Sequence, residues 1–174
     1  HCIRSQDPRG IEDSQGGSRI KKFVILREDV CSAAVLNDNI DFGFVENPRK
    51  KYSCENTQCG SQCCTPQRYA KDDMRKYRYQ LIIDGHGASY DSTIWKLAST
   101  SCVFWIYPNA EATHPLFTQW FWPLLVPYKH FVPAHPGNLT DVFNWCQINQ
   151  RMCENIGKNG IDIVTEILGM GKSY

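Results

Sequence analysis

The chain has 174 residues, 42% of them hydrophobic, with a formal net charge of +1. This is the size and apolar content of one domain with a real core. The near-neutral balance excludes a strong field toward nucleic acid or a membrane surface, and no stretch reaches the apolar length of a membrane-spanning helix.

Residues 1–18 are polar and glycine-rich and read as loop, or as the remnant of an upstream lobe. The chain opens at His1 without a methionine or a signal peptide, which leaves room for an upstream portion. Ser18 is a suitable cap for a helix opening near Arg19. Ile20, Phe23, Val24 and Val30 fall on helical spacing, although the run from Phe23 to Leu26 fits a short strand equally well. Ile40 to Val45 reads as a strand. Residues 46–70 are rich in Asn, Pro, Cys, Gln and Gly and read as a long surface excursion. A short helix over 72–77 leads into a strand at 79–83, where Leu81, Ile82 and Ile83 form the continuous apolar run of a strand buried on both faces.

Asp84 to Ser89 then supplies two glycines, an alanine and a serine, so the backbone can turn tightly and lie bare. The next helix carries Ile94, Trp95, Leu97 and Ala98, and Cys102 to Ile106 is the following strand. Residues 108–115 read as loop, 116–125 as a short buried helix stopped by Pro127, and 129–132 as a short strand ended at Pro133. Asp141–Asn155 and Ile161–Leu168 read as two amphipathic helices punctuated by Gly157 and Gly160. The alternation implies an α/β fold with a parallel sheet. A main unit over 19–170, followed by a tail at 171–174, summarises the organisation.

Nine cysteines are many for a domain of this size in a reducing compartment. Cys54, Cys59, Cys63 and Cys64 cluster tightly. A disulfide-stapled loop, a zinc knot and free thiols in a polar insertion all remain open for them, although the spacing lacks paired Cys-x2-Cys. The odd total leaves at least one thiol without a partner in the chain. Cys146 and Cys153, seven residues apart on one expected helix, are expected about 10 Å apart, too far to bridge each other. Asn138-Leu-Thr140 is a glycosylation sequon, meaningful only in a secretory setting.

A small-residue turn between a buried strand and a helix N-terminus can hold a phosphate, because free backbone N–H groups and the helix dipole both favour an anion. Asp84-Gly-His-Gly-Ala-Ser89 lacks the third glycine of the dinucleotide fingerprint and the Gly-Lys-Ser/Thr of a P-loop. From spacing alone, a bare βα turn is as good a reading.

Three blocks carry a resemblance. The run from Tyr79 to Ser89 (Tyr-Gln-Leu-Ile-Ile-Asp-Gly-His-Gly-Ala-Ser), continued by Trp95-Lys-Leu-Ala-Ser-Thr-Ser-Cys-Val-Phe104, resembles the signature of the Rumi-like glycosyltransferases. That family includes protein O-glucosyltransferases and capsule-associated and lipopolysaccharide-modifying enzymes. The stretch from Trp120 to Pro133 resembles a second family segment, with Pro127, Tyr128, His130, Phe131 and Pro133 in step. Asn39-Ile-Asp-Phe-Gly-Phe44 is similar to a strand before the signature. Order and spacing agree across about residues 39–170.

The resemblance implies the C-terminal, donor-binding lobe of a two-lobe GT-B enzyme, Rossmann-like, with a nucleotide-sugar donor such as UDP-glucose or UDP-xylose. It implies inverting transfer to a protein or glycan hydroxyl without a metal or other cofactor. It places donor contacts on Gly85, Gly87, Ala88 and Ser89, with Lys96 and Arg19 as cationic partners for the diphosphate. Arg19 closes a segment, Arg9 to Arg19, that resembles the family's Arg-Gly loop and helix-opening arginine. Glu111 falls where the family often has an acidic residue able to bind sugar hydroxyls.

Asp91 departs from the pattern, standing where many members have arginine. His130 reads as structural rather than as a base, and His86 as a contact to nucleotide or solvent. The catalytic base comes from the N-terminal lobe in the family, so no residue here is nominated for that role, and the chain alone is expected to be inactive. The endoplasmic reticulum or Golgi lumen is the expected setting. A non-catalytic binding module of the same fold and a cysteine-rich metal or redox module are the rival readings.

Overall fold

The computed structural model describes residues 29–34, 44–45, 64–65, 70–84 and 90–170. The chain divides into two compact units, His1–Arg68 and Tyr69–Tyr174. In the first, residues 29–34 are helical (α1), with Val30, Cys31 and Ala34 buried. Cys31 is disulfide-bonded. Two short strands, β1 (Phe44–Val45) and β2 (Cys64–Thr65), pair in parallel. The expected helix from Arg19 and most of the cysteine-rich excursion, Cys54, Cys59 and Cys63 among it, lie outside the described residues.

The second unit carries the α/β fold that the sequence implies. Its elements are α2 (Lys71–Met74), β3 (Tyr79–Ile82), α3 (Tyr90–Leu97), β4 (Cys102–Ile106), β5 (Val132–Ala134), α4 (Leu139–Ile148) and α5 (Gln150–Met170), with short 3-10 turns at Trp122–Leu124 and Pro136–Asn138. β3, β4 and β5 form a three-stranded parallel sheet in that order. Tyr79 pairs with Cys102 and Ile82 with Trp105, while Phe104 pairs with Val132 and Ile106 with Ala134.

β4 is the central strand and all five of its residues are buried. Alternate side chains of a strand point to opposite faces, so the two sets have different partners. Val103, Trp105 and Tyr107 join Leu97 of α3 and Ile163, Val164 and Ile167 of α5 in one core cluster. Phe104 faces the other way and stacks on Tyr79, whose ring meets Phe143 of α4 edge-on at 5.6 Å. Each fully buried aliphatic or aromatic side chain contributes about 1.5–3 kcal/mol through burial.

Three expected elements differ. The segment 116–125 forms only the 3-10 turn at Trp122–Leu124, because Pro123 removes a backbone donor. The strand expected at 129–132 lies instead at Val132–Ala134 and runs through Pro133. Among the described residues β5 borders only β4, and a sheet margin tolerates a residue without N–H.

The two C-terminal helices break at Asn149, not at the glycines. Gly157 and Gly160 lie inside α5, where a Cβ on Gly160 would come within 2.5 Å of the Leu97 carbonyl oxygen and one on Gly157 would collide with the Thr100 carbonyl. Their role is close approach, letting α5 cross the loop before β4. The break at Asn149 also corrects the expectation for Cys146 and Cys153. They sit on two different helices, their Cα atoms are 5.9 Å apart, and they form a disulfide.

A buried amide fastens the same end of the sheet. Gln80 Nε2 donates to the hydroxyls of Ser99 and Ser101, each at 3.0 Å, and to the Met74 carbonyl at 3.2 Å. Ser101 in turn donates to the Tyr77 carbonyl at 2.8 Å. No helix among the described residues is long and apolar enough to cross a membrane.

Candidate functional site

In parallel α/β sheets, ligands collect beyond the carboxyl ends of the strands, where helices begin. Here β3 ends at Ile82 and α3 begins at Tyr90, so the chain between them joins a strand's carboxyl end to a helix N-terminus. Gly85, His86, Gly87, Ala88 and Ser89 fall within that connection and lie outside the described residues, as do Arg9 and Arg19.

Asp84, at the mouth of that connection, is only 2% exposed. Its Oδ2 accepts from the Phe117 backbone N–H at 2.9 Å. A buried carboxylate that accepts a backbone N–H is a strong tether. This one pins the loop between β4 and β5 to the chain just beyond β3. Nothing in the sequence around Asp84 singles out this role.

Lys96 is engaged with the sheet. Its ammonium donates to the Leu81 carbonyl at 2.6 Å and lies 5.6 Å from the Trp95 ring centroid. Lys71 approaches the same ring at 5.9 Å. Glu111 is exposed on the β4–β5 connection, beside a turn in which the Ala112 N–H donates to the Asn109 carbonyl.

Asp91, the departure from the family pattern, is an exposed first-turn residue of α3 paired with Lys71 at 2.9 Å. Its side chain therefore carries a local counter-ion. Exposed pairs of this type contribute at most about 1 kcal/mol to stability.

The aromatic block from Trp120 to Phe131 divides in two. Phe121 and Phe131 are fully buried, whereas Trp120 and Tyr128 are 56% and 52% exposed. Tyr128 has a φ of +60°, unusual for a non-glycine residue, within a turn closed by its N–H to the Phe131 carbonyl at 2.7 Å. His130 is buried there, and its Nδ1 accepts from the Val126 N–H at 3.0 Å. Burial, with Lys129 nearby, holds its pKa below the usual histidine value against an opposing pull from Glu166. A neutral, hydrogen-bonded imidazole is the structural role that its sequence context suggests.

Tyr107 lies just beyond β4, and burial pushes its phenol up to about 12, with Tyr128 adding to the shift. Its hydroxyl and the Trp105 indole N–H are buried without a hydrogen-bond partner among the described residues. Asn138 of the sequon accepts from the His135 N–H at 2.7 Å, so this side chain closes the turn before α4. Among the described residues, Asp84 is joined to the Phe117 loop, and Lys71 to Asp91 of α3.

A model of glycosyl transferase family 90 matches residues 53–174, the larger part of the chain. Among curated proteins, "Uncharacterized protein 179R" of Invertebrate iridescent virus 6 is 25% identical over 92 residues, an alignment that takes in 52% of this chain and 8% of the viral protein. The chain therefore spans a small part of that relative's length.

Proposed function

Because the chain belongs to glycosyl transferase family 90, we propose that its second unit is the donor-binding part of a Rumi-like glycosyltransferase. Its donor is a UDP-sugar of the glucose or xylose class. The observation that carries this reading is the family match laid over a parallel sheet whose β3–α3 connection contains the sequence Gly85-His-Gly-Ala-Ser89.

In this reading the backbone N–H groups of Gly85, Gly87, Ala88 and Ser89 receive the diphosphate, helped by the dipole of α3. Asp84 fastens the chain that precedes Gly85 to the β4–β5 connection through Phe117. Lys71 removes the repulsion that Asp91 would otherwise exert. Lys96 and Arg19 supply cationic character, and Glu111 accepts from sugar hydroxyls.

The acceptor hydroxyl of a protein or glycan attacks the anomeric carbon as the bond to UDP breaks, giving inversion without a metal. The carboxylate that removes the acceptor's proton belongs to a second lobe. This chain alone binds donor and does not turn over, and the complete enzyme works in the secretory pathway. A calorimetric titration with UDP, UDP-glucose and UDP-xylose tests the proposal. Saturable binding of one nucleotide per chain is expected. Folded protein that gives neither heat nor a thermal shift with any of the three would refute it.

A further inference from the structure

The opposite end of the sheet, where the strands begin, holds a cavity of about 240 Å³. Arg78, Tyr79 and Ser101 form part of its wall, together with Cys102, Cys153 and Glu154. Three sulfurs meet beside it. Cys102, Cys146 and Cys153 are all buried, and their Sγ atoms lie within 4.8 Å of one another. Cys146 and Cys153 are bonded, while Cys102 is a free thiol. The three come from β4, α4 and α5, so the cluster is made by tertiary packing and not by local sequence.

A structural disulfide needs no third sulfur. A thiol held against a disulfide is what thiol–disulfide exchange requires. The cavity borders two of the three residues: Cys102 and Cys153 line it, and Cys146 does not.

We propose that Cys153 is the accepting sulfur of a thiol–disulfide exchange site, reached through this cavity by a low-molecular-weight thiol, with Cys102 as the resolving thiol. The incoming thiolate attacks Cys153 Sγ. The bond to Cys146 breaks, and Cys146 leaves as a thiolate and takes up a proton. Cys102 then gives its proton to solvent, attacks the same sulfur and expels the small thiol. One disulfide replaces another, no net oxidation occurs, and the small thiol is regenerated. The exchange moves the covalent clip from α4–α5 to β4–α5. Burial holds the Cys102 thiol up at about 12, so it is a poor nucleophile near neutral pH and the mixed disulfide on Cys153 is long-lived.

Trypsin separates the three sulfurs cleanly, because cleavage after Lys96, Lys129, Arg151 and Lys158 leaves one cysteine in each peptide. Protein incubated in a buffer of reduced and oxidised glutathione, alkylated and mapped without reduction, should yield a Cys102–Cys153 peptide pair beside Cys146–Cys153. In Cys102→Ala the glutathione adduct on Cys153 should rise over wild type, because only the return of Cys146, which restores the starting disulfide, then removes it. In Cys146→Ser, oxidised glutathione should drive Cys102 and Cys153 together. Wild-type protein that keeps only Cys146–Cys153, with Cys102 fully alkylated, would overturn the proposal. So would Cys146→Ser protein in which Cys102 and Cys153 both stay alkylatable.

Discussion

Alanine in place of Gly157 sets two effects of opposite sign against each other. In a helix interior, Gly→Ala is stabilising by about 0.8–1.0 kcal/mol. Gly157, however, faces the Thr100 carbonyl so closely that an added Cβ forces backbone to move. Overpacking of that kind costs about 1–3 kcal/mol, toward the upper end when the obstacle is main chain. The net expectation is a loss of about 1–2 kcal/mol. For a chain of this size that lowers the melting temperature by roughly 2–8 °C. Gly169 is the control on the same helix. A methyl group added there would have nothing within 4 Å. There Gly→Ala should be neutral to stabilising, by up to about 1 kcal/mol. Urea denaturation of the three proteins, followed by circular dichroism, separates the cases. Gly157→Ala protein as stable as wild type would mean that α5 does not press on the loop before β4.

Three further outcomes are expected. Asp84→Ala strands the Phe117 N–H and should cost about 1–3 kcal/mol, with Asp84→Asn recovering much of it because an amide oxygen still accepts; thermal melts of both variants check this. Lys71→Ala leaves Asp91 without its counter-ion and should weaken UDP binding several-fold, while the double variant Lys71→Ala/Asp91→Ala should recover wild-type affinity by calorimetry. His130 has a pKa below its unfolded value, so the unfolded chain takes up its proton first on acidification. The stability it contributes is complete above about pH 6.5 and declines as pH falls toward its folded pKa. Urea midpoints at several pH values should show this decline, and His130→Asn, which keeps an acceptor near Nδ1 without titrating, should flatten it.

The succession of β3, α3 and β4 was legible in the sequence because both strands are short runs rich in apolar residues bounded by turn residues. The second half was read less well wherever a residue's role depended on distant chain. Gly157 and Gly160 look like helix breakers by local chemistry, and only the loop against which they pack shows otherwise. The break at Asn149 carries no glycine or proline, so nothing local announced that Cys146 and Cys153 lie on separate helices. Pro133 marks a strand's end by default, but a strand that borders only β4 among the described residues accommodates it. At the candidate site, Lys96 has the charge expected of a phosphate ligand, yet its bond to Leu81 depends on the strand lying fifteen residues upstream. Asp84 was overlooked because its partner, Phe117, is thirty-three residues away.

The parallel sheet also dictates an order of events during synthesis. β3 cannot pair until the chain has reached Cys102, and β4 cannot find its second neighbour until Val132 has been made. Even then Val103 and Trp105 await Ile163, Val164 and Ile167, nearly the last residues of the second unit. Parallel pairings close long loops before any contact rewards them, and transiently bare apolar strands invite aggregation. A nascent chain halted short of α5 would present the most apolar strand of the sheet to its surroundings. Completion of α5 is therefore the step that covers β4.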